Sequence, residues 1–141
     1  MKKIFEIKKK GLGKLLKWKT KEWIKYGKEA GYSWNDKYYF LAAYDNNKIV
    51  GFASIKIVGG VGYLDEIIVP KNHRREGIGL MLLKKFEEIA KNKKCHLVYL
   101  STSERYKTAV PFYIKNGYKK AAILKNNKFH DNWYFLEKRL K

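Results

Sequence analysis

The sequence predicts an α/β fold, a mixed and mostly antiparallel central sheet of about seven strands flanked by three or four helices. Three observations carry that expectation. Alternating and helical hydrophobic periods succeed one another in the order β, α, a three-strand meander, α, β, α, β, β. Turn residues separate the β-rich runs at hairpin spacing, which makes those pairs antiparallel. One strand, helix, strand passage in the middle needs a crossover, and with it a parallel pair.

The run "KIFEIKK" at the N-terminus reads as a first strand. From Leu12 to Ala30 an apolar or small stripe falls at Leu12, Leu15, Leu16, Thr20, Trp23, Ile24 and Gly27, with a lysine ridge at Lys14, Lys17, Lys21, Lys25 and Lys28. That spacing makes an amphipathic helix, stopped by Gly31. "YYFLAAY" and "IVGFASIKIV" flank the turn residues "DNNK", and "GGVG" turns the chain again into "YLDEIIV". Residues from about 79 to 91 form a second helix with Leu82, Leu83, Phe86, Ile89 and Ala90 inward. "HLVYLS" is a strand, "TAVPFYIKNG" a short helix ended by Gly117, and the last 24 residues hold two strands around Asn126 and Asn127.

At 141 residues, with no internal repeat and no Pro-rich linker, residues 1–141 are read as a single domain. The single cysteine, Cys95, excludes an internal disulfide and fits a reducing compartment. A basic N-terminus without an apolar core, and no apolar run long enough to span a bilayer, lead to the expectation of a cytoplasmic protein with no membrane partner. His73, His96 and His130 are scattered, so no metal site is expected. The net charge of +19 attracts polyanions, yet all but four of the 32 basic residues are lysines spread along the chain without a block. A solvated lysine surface is the favoured reading, and a nucleic-acid patch stays open beside it.

The sequence "LDEIIVPKNHRREGIGLMLLKKFEEIAK" places Gly77 and Gly79 where a helix is about to start. A helix N-terminus carries unsatisfied N–H groups and a partial positive charge, and glycine clears the side chains from an anion's approach. Arg74 and Arg75 add charge at the rim. The spacing is neither a P-loop nor a dinucleotide-binding fingerprint, since Leu82 stands where a third glycine of the latter would fall. It resembles the coenzyme A signature R-x-x-G-x-G of the GCN5-related N-acetyltransferase (GNAT) family, here Arg74 to Gly79. The "YYFLAAYDNNKIVGFASI" hairpin and the "AVPFYIKNGYKKA" segment resemble the family's second and third strands and its C-terminal tyrosine segment.

The resemblance implies acetyl-CoA as co-substrate and transfer of its acetyl group to a primary amine, a protein N-terminus, lysine, polyamine or other small amine, by direct attack in a ternary complex. It implies that Ile67, Ile68 and Val69 lie beside the coenzyme, that Arg74, Arg75, Glu76, Gly77, Ile78, Gly79 and Leu80 surround its pyrophosphate, and that Tyr113 is the general acid. Tyr106 stands where the family usually has a coenzyme-contacting asparagine, and Glu76 sets a negative charge beside the anion. Strand alternation sends the side chains of Asp65 and Glu66 to opposite faces, so one of them is the base: the family pattern favours Asp65, with Glu66 in its place if a bulge shifts the register. His130, Asp131 and Trp133, and Trp18, Trp23, Tyr32 and Trp34, fall where relatives build acceptor walls. A homodimer is common in the family. The alternative is a basic nucleic-acid-binding module or an RNA- or ribosome-associated acetyltransferase.

Overall fold

A computed structural model describes residues 1–33 and 36–141. The chain forms two compact units, residues 1–35 and 36–141.

The first unit is built on α1 (Lys9–Ala30). Gly31 ends it in the left-handed conformation at φ 81°, and the N–H of Tyr32 bonds back to the Gly27 carbonyl at 2.9 Å. This is the termination expected of a glycine just past the last helical residue. Residues 1–8, expected to open with a strand, hold none. Alternation over a few residues supplies propensity but no partner, and a strand exists only when its ladder is paired.

The second unit carries a six-stranded sheet in the order β1-β2-β3-β4-β6-β5, one strand fewer than the periodicity suggested. β1 (Lys37–Asp45) and β2 (Lys48–Val58) pair antiparallel across Asn46 and Asn47, both at positive φ, the conformation a two-residue hairpin demands. Gly59 and Gly60, also at positive φ, turn the chain into β3 (Val61–Ile68). α2 (Ile78–Asn92) then crosses over to β4 (Leu97–Ser103), which lies parallel to β3. α3 (Ala109–Lys115) precedes β5 (Lys119–Leu124) and β6 (Trp133–Arg139), and β6 inserts between β4 and β5.

The core lies between α2 and one face of the sheet. Leu82, Leu83, Phe86 and Ala90 are buried there with Ala53, Ile55, Leu64, Val98, Leu100 and Leu136. Two glycines make the approach close. A Cβ on Gly51 would stand 2.7 Å from the Ile78 side chain, and one on Gly62 would stand 3.2 Å from the Phe86 ring. α3 lies on the same side as α2, for the Tyr118 hydroxyl after it donates to Glu87 of α2 at 3.3 Å. The helix periodicity missed this buried carboxylate. Glu87 also receives Lys138 of β6 at 3.1 Å and 3.2 Å, and Lys138 donates to the Asn116 carbonyl at 3.0 Å.

Candidate active site

The parallel pair β3 and β4 is joined over only part of its length. Val61 to Leu64 pair with Leu97 to Leu100, yet β3 runs on to Ile68 and β4 to Ser103. Beyond Leu64 the two strands part: Glu66 to Ile68 stay paired to β2 alone, and Ser101 to Ser103 to β6 alone. Each strand thus turns an edge toward the gap with no ladder partner among the described residues. Backbone amides need partners, and a split of this kind has room for an extended molecule to pair as a further strand would.

A bulge sits where the split opens. Ser54 pairs with Glu66, but Ile55 pairs with Leu64, which leaves Asp65 as the extra residue. Ser54 and Lys56, two apart on β2, share a sheet face. The Ser54 hydroxyl donates to Glu66 at 3.1 Å, while Asp65 and Lys56 line one cavity with Tyr38, Val58, Val61, Tyr63 and Tyr99. Asp65 and Glu66 therefore lie on the same face, the one turned away from α2. Simple alternation puts them on opposite faces, and the bulge overturns it because two consecutive residues oppose one on the partner strand.

At the other end of β3 the chain passes through a 3₁₀ turn (Lys71–His73) into the glycine segment. Arg75 at φ 67° and Gly77 at φ 81° bend it into α2, whose first intrahelical bond runs from the Met81 N–H to the Gly77 carbonyl. The amides of Ile78, Gly79 and Leu80 come before that bond, with no side-chain cap and no acidic residue in the first turn. Gly77 is required by its φ. Gly79 is required by nothing inside the fold, for a Cβ there would meet only the Phe112 ring at 4.0 Å. Glu76 reaches back to His73 Nδ1 at 3.4 Å, and Arg74 Nε donates to the Val69 carbonyl at 3.1 Å. Arg74, Arg75, Glu76 and Leu80 are exposed and Ile78 is buried. Of the strand residues, Ile67 is half-buried against the core and Ile68 is exposed.

Tyr113 of α3 is buried between the rings of Phe112 and Tyr118, at centroid distances of 5.1 Å and 5.7 Å. Burial pushes its hydroxyl up to about 12, so it stays protonated throughout the neutral range. The hydroxyl has no hydrogen-bond partner among the described residues, in contrast to that of Tyr118. Tyr106, exposed in the loop before α3, donates its N–H to the Ser103 carbonyl at 3.2 Å.

Asp131 accepts from the Ser103 hydroxyl at 2.7 Å and from Arg105 at 2.8 Å, which ties the loop before β6 to the end of β4. The Ser103 hydrogen bond, then Arg105, holds its carboxyl below the usual range. Trp133 donates to the Lys128 carbonyl at 3.1 Å and His130 contacts Asn126 at 3.1 Å, so both serve to fold that loop. Trp18, Trp23 and Tyr32 belong to the first unit, and Trp34 lies outside the described residues. Among the described residues no group of three metal-ligating side chains forms, and no helix is long and apolar enough to cross a membrane.

A split parallel pair with a bulge at its fork, followed by a helix whose first amides carry no side-chain cap, thus brings open backbone and two carboxylates onto one segment. The family model of the acetyltransferase (GNAT) family matches residues 12–118, and the chain belongs to that family. Over 91 residues it is 33% identical to the uncharacterised N-acetyltransferase YjcF of Bacillus subtilis, covering 64% of this chain and 61% of that one. The chain spans about half the length of most of the curated relatives it matches. A crystal structure of an acetyltransferase from Bacillus cereus superposes over 98% of both chains with a TM-score of 0.76 and 25% identity. The PaiA N-acetyltransferase of Thermoplasma acidophilum, solved in complex with coenzyme A, shares the fold at a TM-score of 0.64 and 23% identity, over 79% of this chain and 64% of that one.

Proposed function

We propose that the chain is a cytoplasmic, acetyl-CoA-dependent N-acetyltransferase that passes the acetyl group directly to a primary amine. The observation that carries this reading is the union, on one continuous segment, of the β3–β4 split and the open N-terminus of α2. The coenzyme A complex of a protein with the same fold supports the choice of ligand.

In this reading the amides of Ile78, Gly79 and Leu80, with Arg74 and Arg75 at the rim, hold the pyrophosphate. Glu76 turns to His73 and does not cap the helix end. The gap-facing backbone of Ile67 to Val69 binds the pantetheine arm as a strand would, and Tyr106 borders it in place of the family's asparagine. The co-substrate supplies an activated acetyl carbon, and everything else is done by the chain. Asp65, at the fork, takes the proton that the amine must lose before its lone pair can attack, and Glu66 beside it stabilises the cationic form on arrival. A C–N bond forms, the nitrogen sheds its second proton to water and the C–S bond breaks; Tyr113 gives its proton to the departing sulfur and recovers one from solvent, to which Asp65 releases its own. Cys95 takes no part, because it is buried and its thiol is pushed up, the reverse of an activated nucleophile.

The test uses Gly79, where a side chain neither strains the backbone nor strikes the protein. Gly79→Glu sets a carboxylate in the first turn, which favours the helix while repelling a second anion. Calorimetric titration with acetyl-CoA is expected to lose about 100-fold or more in affinity, with the melting temperature unchanged or raised. Unaltered affinity sinks the assignment of the pyrophosphate site.

A further inference from the structure

The cavity on the sheet face away from α2 has a volume of about 610 Å³. Its composition is unusual for this chain. Asp65 forms no ion pair among the described residues, and neither does Glu66 beside it, on a protein with 32 lysines and arginines against 13 acidic residues. Tyr63 and Tyr99 stack at a centroid distance of 4.7 Å and an interplanar angle of 30°, one on each strand just before the two part. Tyr38, Val58 and Val61 complete an apolar wall. Among the described lining residues the far side carries one cation, Lys56, bound to Asp36 at 3.3 Å, its ammonium 5.7 Å from the centre of the Tyr38 ring. Lys56 is the cross-strand partner of Tyr63, two residues before Asp65, so it stands roughly 7 Å along the strand from the carboxylate.

We propose that this cavity is the acceptor pocket and that it selects small primary amines with an apolar or aromatic body and no second positive charge. The inference rests on the acetyltransferase reading above and narrows its acceptor. An ammonium group is drawn to Asp65 and Glu66, which lack a cation of their own. The body of the molecule lies along the rings of Tyr63, Tyr99 and Tyr38, where apolar contact and the faces of the phenols favour it. A second ammonium on the same molecule meets Lys56, which lines the cavity while its partner Asp36 does not. Polyamines are thereby disfavoured, and the distal end of a good acceptor is neutral or anionic.

Hexylamine and 1,6-diaminohexane share length and reacting head and differ only in the distal charge, so they isolate the claim. Thiol release from acetyl-CoA is measured with each, and with 2-phenylethylamine. The expected kcat/KM is about tenfold or more in favour of hexylamine. Lys56→Met is expected to bring the two within about threefold and Lys56→Arg to restore the gap, because charge and not packing sets it. Tyr63→Ala raises KM for 2-phenylethylamine about fivefold with kcat little changed. Equal rates for the two six-carbon amines in the wild type, or a gap that Lys56→Met leaves intact, overturns the proposal. Should coenzyme titration show no binding, the acetyltransferase reading fails separately. Line broadening of the free amines by the protein then reads the pocket alone: a preference for hexylamine that Lys56→Met abolishes upholds it, and no preference refutes it.

Discussion

Two regions on opposite sides of the sheet treat their polar groups in opposite ways. On the α2 side, Glu87 is buried and every atom it offers is answered by Lys138, Lys84 or the Tyr118 hydroxyl. At the fork of β3 and β4, Asp65 and Glu66 have no cation, and the nearby chain edges have no ladder partner among the described residues. Tyr113 extends the contrast, for its ring meets that of Tyr118 edge-on yet its hydroxyl has no partner among the described residues. Among the described residues no buried side-chain polar atom lacks a partner, so the open groups at the fork lie where solvent or a ligand reaches them. Glu87 and its partners hold the structure together, whereas Asp65, Glu66 and Tyr113 are the groups proposed above to meet the substrates.

If that distinction is sound, substitutions in the two regions separate cleanly into stability and activity. The largest effect on stability is expected at Lys138→Met, which strands the Glu87 carboxylate with only Lys84 and a phenol nearby. Chemical denaturation should report a loss of about 3 kcal/mol. The double variant Lys138→Met with Glu87→Leu should recover most of it, because the cost lies in the unpaired charge and not in the missing pair. Next comes Asp65→Asn, expected to lower kcat/KM about 100-fold while the denaturation midpoint stays put. What activity remains should rise with pH toward the pKa of the amine, since only amine already deprotonated in solution can then react. Glu66→Gln should cost less, and a larger loss there than at Asp65 would exchange the two roles.

How much of this was legible in the chain differs between the same two regions. The Asp45 to Lys48 hairpin, the α2 stripe of Leu82, Leu83, Phe86 and Ala90, and the glycine start of α2 all follow from local periodicity and turn chemistry, and the structure reproduces them. The N-terminal strand failed because pairing is not a local property. Glu87 was invisible: it stands on the apolar face of its helix, and its partners come 31 and 51 residues later. The cavity was hidden for a related reason. Tyr63 and Tyr99 meet only because the crossover sets β4 in register with β3, and the bulge that turns Asp65 and Glu66 to one face depends on the pairing with β2.

The smallest effects come from the neighbouring tyrosines 113 and 118, and they probe the contrast most closely because the chemical change is the same single oxygen. Tyr118→Phe removes a donor to Glu87 and should cost about 1 kcal/mol of stability, with turnover within about twofold of wild type. Tyr113→Phe removes a hydroxyl that bonds to nothing among the described residues, so it should leave stability near neutral pH unchanged. It should instead lower kcat about tenfold, less than the usual general-acid contribution of roughly 10²–10⁴ because a thiolate is already a tolerable leaving group. The alkaline limb adds a check of sign. With its folded-state value raised to about 12 against an ordinary 10, Tyr113 favours the folded chain below pH 10 and loses that contribution as the pH climbs toward 12. Tyr113→Phe should therefore flatten part of the fall in melting temperature over that interval. A variant that instead unfolds early at pH 7 and keeps full turnover would place Tyr113 with Glu87 among the groups that serve structure alone.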